Sequence, residues 1–437
     1  MKVARVGVAY SGGRDSTALL HAVLRAAHPM GLEVVALHVH HGLSPNANAW
    51  LRHCRAVCMR WARAGWPLRL ASQHITQRPV PGLSLEAWAR SARYAALSEL
   101  ARGEGVRLVL LAHHQRDQAE TFLLQALRGG GVAGLAGMPM TAEREGITWV
   151  RPWLERPRHA IEAYVRRHRL KHVEDESNDD PRFARNRLRL QVWPELTAAF
   201  PDVEASLATA AAWAQEASSA LDELAAIDLE AVAGDDGDLL IHVWSRLSPA
   251  RRSNALRAWL HLRTRRSPSS SWAIRLGREL LACAHARWQL AGGELRSYRG
   301  RLTWVAQAVP APSGSAGEPG VHVTGAGRYP LPGWRGTLEA TWGDVGGAPL
   351  ELLRSLELLP RRGAEQFQAG ADRPPRSLKK QFQAAGVAPW LRTGPLAYSA
   401  KKLVFVPGLG IDARSQAAAG RPQLRLAWIA DTTAEWG

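Results

Sequence analysis

Cysteine is scarce in these 437 residues: Cys54, Cys58 and Cys283 are the only three. Three thiols cannot staple a chain of this length, which excludes the disulfide-framework class and fits a reducing compartment. Cys54 and Cys58 stand four apart instead of as C-x-x-C, so neither a redox dithiol nor a paired-cysteine sulfur carrier is spelled out. No apolar run approaches the ~20 residues of a membrane span. The start, Met1-Lys2-Val3-Ala4-Arg5, has no signal-peptide core. A cytoplasmic protein without a membrane partner is therefore expected. Two nucleotide-binding spellings are also missing: the G-x-x-x-x-G-K-[ST] of P-loop NTPases, and a G-x-G-x-x-G following a strand. No solenoid-period repeat occurs. Lysine is nearly absent, with six residues among the 56 basic ones.

What is present starts with charge. Lys and Arg outnumber Asp and Glu 56 to 39, a net +17 that attracts polyanions, and arginine offers phosphate a planar bidentate fork. Nucleic acid is the expected partner class. The length suggests two or three domains. Up to about residue 190, short apolar runs (Val6–Tyr10, Val34–Val39, Leu108–Ala112) alternate with helical spacing (Leu19–Ala27, Ala49–Ala64). That is the βαβ pattern of a parallel sheet covered on both faces, whose ligands bind beyond the strand ends. Three motif-bearing segments fall there: the loop after Tyr10, His38-Val39-His40-His41-Gly42, and His113-His114. From about 195 the chain turns alanine-rich, with amphipathic helical spacing at Leu207–Leu224 and Ala273–Leu290. A Pro/Gly/Ser-rich stretch at 310–320 reads as a linker. Beyond it, strand-like Leu338–Trp342 and Leu403–Val406 and a basic helix near Leu378–Ala385 suggest a small α/β unit.

The first strand runs into Ser11-Gly12-Gly13-Arg14-Asp15-Ser16. Small residues between a strand and a helix let backbone N–H groups approach phosphate oxygens, and the helix N-terminus adds favourable potential. Asp15 inside such a loop is explained by Mg²⁺ arriving with a nucleotide, or by capping. By position alone the segment also reads as a plain turn with Asp15 or Ser16 as N-cap. Paired histidines at 40–41 and 113–114 read equally as polar strand ends, and they offer no clear zinc set, so no metal held by protein alone is expected.

These six residues resemble the SGGxDS pyrophosphate loop of the N-type ATP pyrophosphatases, enzymes that cleave ATP between the α- and β-phosphates and adenylate a substrate. Further blocks follow in the order of one member family, tRNA(Ile)-lysidine synthetase. His38-Val39-His40-His41-Gly42-Leu43-Ser44 is similar to its second block, and Glu86-Ala87-Trp88-Ala89-Arg90-Ser91-Ala92-Arg93-Tyr94 to its E-x-x-A-R-x-x-R-Y helix. Ala112 to Thr121 resembles A-H-H-x-D-D-Q-x-E-T, with Arg116 where the first aspartate is usual. Glu174-Asp175-Glu176-Ser177-Asn178 with Arg185-Asn186-Arg187-Leu188-Arg189 resembles E-D-x-S-N…R-N-x-x-R. Pro360–Gly363 and Leu378–Phe382 resemble the C-terminal tRNA-binding module.

The resemblance implies a Rossmann-like PP-loop catalytic domain over 1–215, a helical tRNA-binding domain over 216–308, a linker at 309–320 and a small C-terminal α/β tRNA-binding domain over 321–437. It implies ATP-dependent ligation of L-lysine to C2 of wobble cytidine in tRNA(Ile) with a CAU anticodon, through an adenylated base. ATP and Mg²⁺ are the implied cofactors, with lysine as co-substrate. Ser11, Gly12, Gly13, Arg14, Asp15 and Ser16 then bind ATP, with Asp15 as the Mg²⁺ candidate. Asp15, Asp117 and Glu120 are the catalytic candidates, the last two on one helical face at i, i+3 to orient lysine. Arg361, Arg362, Lys379 and Lys380 are the tRNA-binding candidates, with Arg251, Arg252 and Arg257 as further phosphate contacts. Monomer and homodimer both stay open. Two other readings stand beside this one: a cysteine-poor tRNA thiolase of the same superfamily, and an RNA-binding protein with a degenerate nucleotide fold, of which Arg116 would be the first sign.

Overall fold

The computed structural model describes residues 4–42, 44–76, 85–174, 180–265, 269–283, 285–307, 319–418 and 420–431. The chain separates into two compact units, 1–223 and 224–437. Leu43, residues 175–178 of the acidic block and nearly all of the 309–320 linker lie outside the described residues.

The first unit is built on a six-stranded sheet. Its elements are β1 (Arg5–Ala9), α1 (Arg14–Ala27), β2 (Glu33–His40), α2 (Ala47–Arg63), β3 (Leu68–His74), α3 (Leu85–Gly103), β4 (Leu108–Leu110), α4 (Gln115–Leu127), α5 (Val132–Leu135), β5 (Thr141–Arg144), β6 (Ile147–Val150), α6 (Arg158–His168), α7 (Ala184–Arg187), α8 (Trp193–Ala199) and the part of α9 (Val203–Val232) up to residue 223. Strand order is β3-β2-β1-β4-β6-β5, parallel except for β5 at the edge. Val34 to Leu37 in β2 are fully buried, as expected of a strand covered on both faces. On one face Val6 and Val8 pack with Leu19, Leu20 and Leu24 of α1 and with Cys54 and Cys58 of α2. On the other, Val35, Leu37 and Val109 pack with Leu97 and Ala101 of α3 and with Trp149. The chain steps outward from β1 to β3, then returns to β4 on the opposite side of β1. That reversal opens a crevice beyond the carboxyl ends of β1 and β4.

Between α7 and α8 the helix makes one π turn, Leu188–Val192. Such turns interrupt the helical register and recur at functional sites. This one lies between Arg185 and Trp193, both of which face the first turns of α4.

The second unit corrects one expectation. The helix expected over Ala273–Leu290 ends at Ala282, where Cys283 turns extended, and Ala286–Leu290 is a strand. That strand joins 293–298, 301–306 and 239–240 in a four-stranded antiparallel sheet, packed on helices Pro249–Thr264 and Ser270–Ala282. Trp288 is buried against this core and its indole N–H reaches Glu279. Tertiary burial of one face thus overrides the helical spacing. The remainder of the unit contains a five-stranded and a three-stranded sheet and the helix Leu378–Ala384. Strands 336–343 and 402–406 cover the two strand-like stretches read in the sequence.

Candidate active site

The loop after β1 is tight because its glycines permit it. Gly12 has φ +87°, a left-handed value, and a Cβ there would sit 2.8 Å from Cys54 Sγ. Its carbonyl accepts from Val173 N–H at 3.0 Å and from Thr17 Oγ1 at 3.2 Å. Ser11 Oγ lies 3.0 Å from Ser16 Oγ and accepts from Gly13 N–H at 3.3 Å. Gly13 is the N-cap of α1 and makes no side-chain cap, so Arg14, Asp15 and Ser16 form the first turn. The N–H groups of that turn have no intrahelical acceptor, a geometry suited to an anion.

Asp15 lies in this turn, 31% exposed. One carboxylate oxygen accepts from Arg14 Nε at 3.2 Å; the other faces His114 Nε2 at 3.7 Å. Burial would raise its pKa, but His114 and Arg14 outweigh that and hold the carboxyl at about 2. Arg14 also donates to Glu162 Oε1 at 2.9 Å, tying the loop to α6. The loop thus sets the exposed N–H groups of a helix start beside one ionised carboxylate. Among the described residues no three His, Cys, Asp or Glu side chains converge to hold a metal ion unaided. Asp15 and the two serine hydroxyls fit an Mg²⁺ that shares its ligands with a nucleotide.

His114, the N-cap residue of α4, is 4% exposed and turns Nε2 toward both Asp15 and Asp117, the latter at 3.5 Å. Burial opposes its charge, yet Asp15, Asp117 and Glu120 together raise its pKa. Asp117 caps α4, accepting from His114 N–H at 3.1 Å and from Arg189 Nη2 at 2.9 Å. Its carboxyl is lowered: burial pulls upward, and His114, Arg185, His113 and Arg189 overcome it. His113 beside it is driven to about 3 by burial, with Nδ1 buried and without a hydrogen bond. The starts of α1 and α4 therefore bring Asp15, His114 and Asp117 into a single cluster.

Glu120 departs from the sequence expectation. Its side chain has no exposure at all. Oε2 accepts from Arg185 Nε at 3.0 Å and Oε1 from Arg189 Nε at 2.7 Å. Arg185 Nη2 further reaches Asp117 O at 3.0 Å and Thr121 Oγ1 at 2.8 Å. The i, i+3 spacing does put Asp117 and Glu120 on one face, but that face meets the arginines of α7 and the π turn. Glu120 is fully enclosed by these arginines, whereas the Asp117 side chain keeps 13% exposure.

Family models match three stretches: a PP-loop domain at 1–196, a TilS substrate binding domain at 239–303 and a TilS substrate C-terminal domain at 356–428. A tRNA(Ile)-lysidine synthase of Ralstonia nicotianae is 41% identical over 98% of this chain and 93% of its own length. Those of Pseudomonas aeruginosa (41%, covering 92% and 90%) and Escherichia coli O157:H7 (35%, covering 96% and 95%) align almost as fully. The chain belongs to the tRNA(Ile)-lysidine synthase family. Among solved structures, a U34-tRNA thiolase from Methanococcus maripaludis with its [4Fe-4S] cluster superposes with a TM-score of 0.42 at 13% identity, covering 49% of this chain and 72% of that one.

In this lysidine synthase family chain two of the other motif histidines contact neighbouring residues of the fold. His38 Nδ1 lies 2.9 Å from the Tyr10 carbonyl, and its pKa is lowered by burial. His40 meets Asn48 and stacks on His74 with ring centroids 4.2 Å apart. The side chain of Glu86 lies outside the described residues. In the second unit, Arg361, Arg362, Lys379 and Lys380 are all exposed. The Arg361 guanidinium lies 5.7 Å over Phe382, whose helix carries both lysines, so these charges share one module. Arg251 and Arg252 are otherwise engaged: Arg251 chelates Asp228, and Arg252 donates to Ser245 O above Trp244. Arg257 is exposed. Sequence reasoning missed the pairing of Arg185 and Arg189 with α4, although their i, i+4 spacing placed both on one helical face.

Proposed function

We propose that this chain is an ATP-dependent ligase that joins L-lysine to C2 of the wobble cytidine of tRNA(Ile) bearing a CAU anticodon. The observation that carries the reading is the Asp15–His114–Asp117 cluster beside the Gly12–Gly13 phosphate seat, in a chain related over nearly its whole length to tRNA(Ile)-lysidine synthases. The C2 oxygen of cytidine is a poor leaving group, so it first attacks the ATP α-phosphorus and expels pyrophosphate. The lysine ε-amine then adds at C2, loses its protons, and expels AMP carrying the former C2 oxygen.

Each demand of this sequence has a candidate residue. The 11–16 loop holds the departing pyrophosphate through backbone N–H groups and the first turn of α1. Asp15 would hold an Mg²⁺ arriving with the nucleotide, and that ion would supply charge neutralisation for the departing pyrophosphate. Asp117 orients the lysine ammonium. Ionised carboxylates by themselves favour the protonated amine, which is inert, and Arg185 and Arg189 offset that bias. His114, its Nε2 turned to both Asp15 and Asp117, ties the carboxylate beside the loop to the one that orients lysine. The target base must leave its stack, at a cost of a few kcal/mol that is smallest in a loop such as the anticodon. The exposed Arg361, Arg362, Lys379 and Lys380 hold the tRNA by phosphate contacts, which position it without reading bases.

The test is pyrophosphate release from ATP with each component omitted in turn. Release that requires tRNA(Ile) with a CAU anticodon, and is abolished by Asp15→Asn, is the expected result. Release that ignores tRNA sinks the proposal.

A further inference from the structure

Position 116 is where the chain breaks the motif, placing a cation where a carboxylate is usual, and the structure gives that cation a defined seat. Arg116 lies in the first turn of α4 on the same face as Glu120, its Nε 3.4 Å from Glu120 Oε1. Its guanidinium carbon sits 5.0 Å from the centre of the Trp193 ring. The side chain is only 19% exposed, and Nε is buried without a hydrogen bond. The charged groups that act on it are Glu120, Arg189, Arg158 of α6 and Glu204 of α9.

Glu120 does not need this third cation. Its two oxygens already accept from Arg185 and Arg189, and another guanidinium brings desolvation cost and repulsion from Arg189. What Arg116 adds is a mechanical tie. Trp193 stands eight residues beyond Arg185 and four beyond Arg189, across the π turn, so the stack joins the first turn of α4 to the helix that carries both arginines. Asp117 is the next residue along α4, and Arg189 bridges it to Glu120.

We infer that Arg116 is a positioning residue: clamped between Trp193 and Glu120, it locks the first turn of α4 and so fixes Asp117 for the amino-acid substrate. The inference rests on the ligase reading above and acts wholly through Asp117. It makes the motif break a compensated change and not a sign of decay.

The test is steady-state kinetics of Arg116→Lys, Arg116→Gln, Arg116→Asp and Trp193→Phe, with lysine and ATP varied separately in the presence of tRNA. Arg116→Gln is expected to lower kcat/KM for lysine about tenfold or more, because small misplacements of a binding group are costly, while KM for ATP stays put. Arg116→Lys recovers part of the loss, since it keeps the charge but not the planar stack. Arg116→Asp is worse than Gln. Wild-type kinetics in Arg116→Asp, or equal losses toward lysine and ATP, would overturn the inference. A double-mutant cycle on melting temperature, Arg116→Gln with Glu120→Gln, needs no activity: the two losses should fail to add, and additivity overturns the clamp. A wild-type enzyme that ligates no lysine overturns the ligase reading itself, and the cycle still decides the clamp.

Discussion

Replacing Glu120 by Gln separates the two roles that a buried carboxylate near a crevice could have. Removing one partner of a buried ion pair costs about 3–5 kcal/mol. Here Arg185 and Arg189 are 23% and 28% exposed, so water restores part of their solvation, and the amide oxygen of Gln keeps one acceptor. That leaves roughly 2–3 kcal/mol. For a unit the size of 1–223, about 2–4 °C of melting temperature corresponds to 1 kcal/mol, so Tm should fall by about 4–12 °C. Asp15→Asn is the matched control. Asp15 is 31% exposed and its contacts are long, so, after screening, its lowered pKa implies that its loss should cost about 1–2 kcal/mol and move Tm less than the loss of Glu120. Scanning calorimetry at 0.15 M salt on both variants, paired with pyrophosphate release, is the assay. A Glu120→Gln protein that melts with the wild type yet is inactive would refute the reasoning, because Glu120 would then be acting on substrate.

Acid should destabilise the protein through buried His113. His113 titrates near 3 when folded and near 6.5 when unfolded, so the unfolded chain binds more protons below about 6.5 and stability falls from there toward 3. His113→Gln should remove up to about 1.4 kcal/mol per pH unit of that slope, and an unchanged Tm–pH slope contradicts it. His114 works in the opposite sense, adding stability below its unfolded pKa that is lost as pH rises through its raised folded value. Gly12→Ala meets both the left-handed φ and Cys54 Sγ, so it should cost about 1–3 kcal/mol and raise KM for ATP. Adding Cys54→Ala should restore only the steric part, and full recovery would exclude backbone strain. Arg361→Ala with Lys379→Ala should weaken tRNA binding and flatten its salt dependence by about one to two units of slope while sparing ATP binding. Unchanged affinity across a salt titration rules that surface out.

The parallel sheet was legible because β1 and β2 are near-continuous apolar runs, which only a doubly covered strand needs. The crevice followed from where the loops fall along those runs. The strand Ala286–Leu290 was illegible because Trp288 and Leu290 fit helical spacing as well as alternation, and only burial against the hairpin at 293–306 decides between them. The site divides in the same way. Asp15 could be singled out from local chemistry, since an acid in a Ser/Gly turn between a strand and a helix requires a reason. Glu120 could not, because its partners Arg185 and Arg189 lie 65 and 69 residues along the chain. A helical face shows which side chains travel together, not whether they meet solvent or three guanidiniums. Arg116 looked anomalous for the same reason, as Trp193 lies far downstream.

The central claim is that the crevice joins lysine to a tRNA base. Incubating the protein with ATP, isotopically labelled lysine and tRNA(Ile) of CAU anticodon, then digesting the tRNA and weighing its anticodon nucleosides, tests it directly. The account predicts a wobble cytidine heavier by one labelled lysine less one water, formed only with ATP and lost in Asp15→Asn. A wobble cytidine of unchanged mass, or one carrying sulfur in place of lysine, contradicts it.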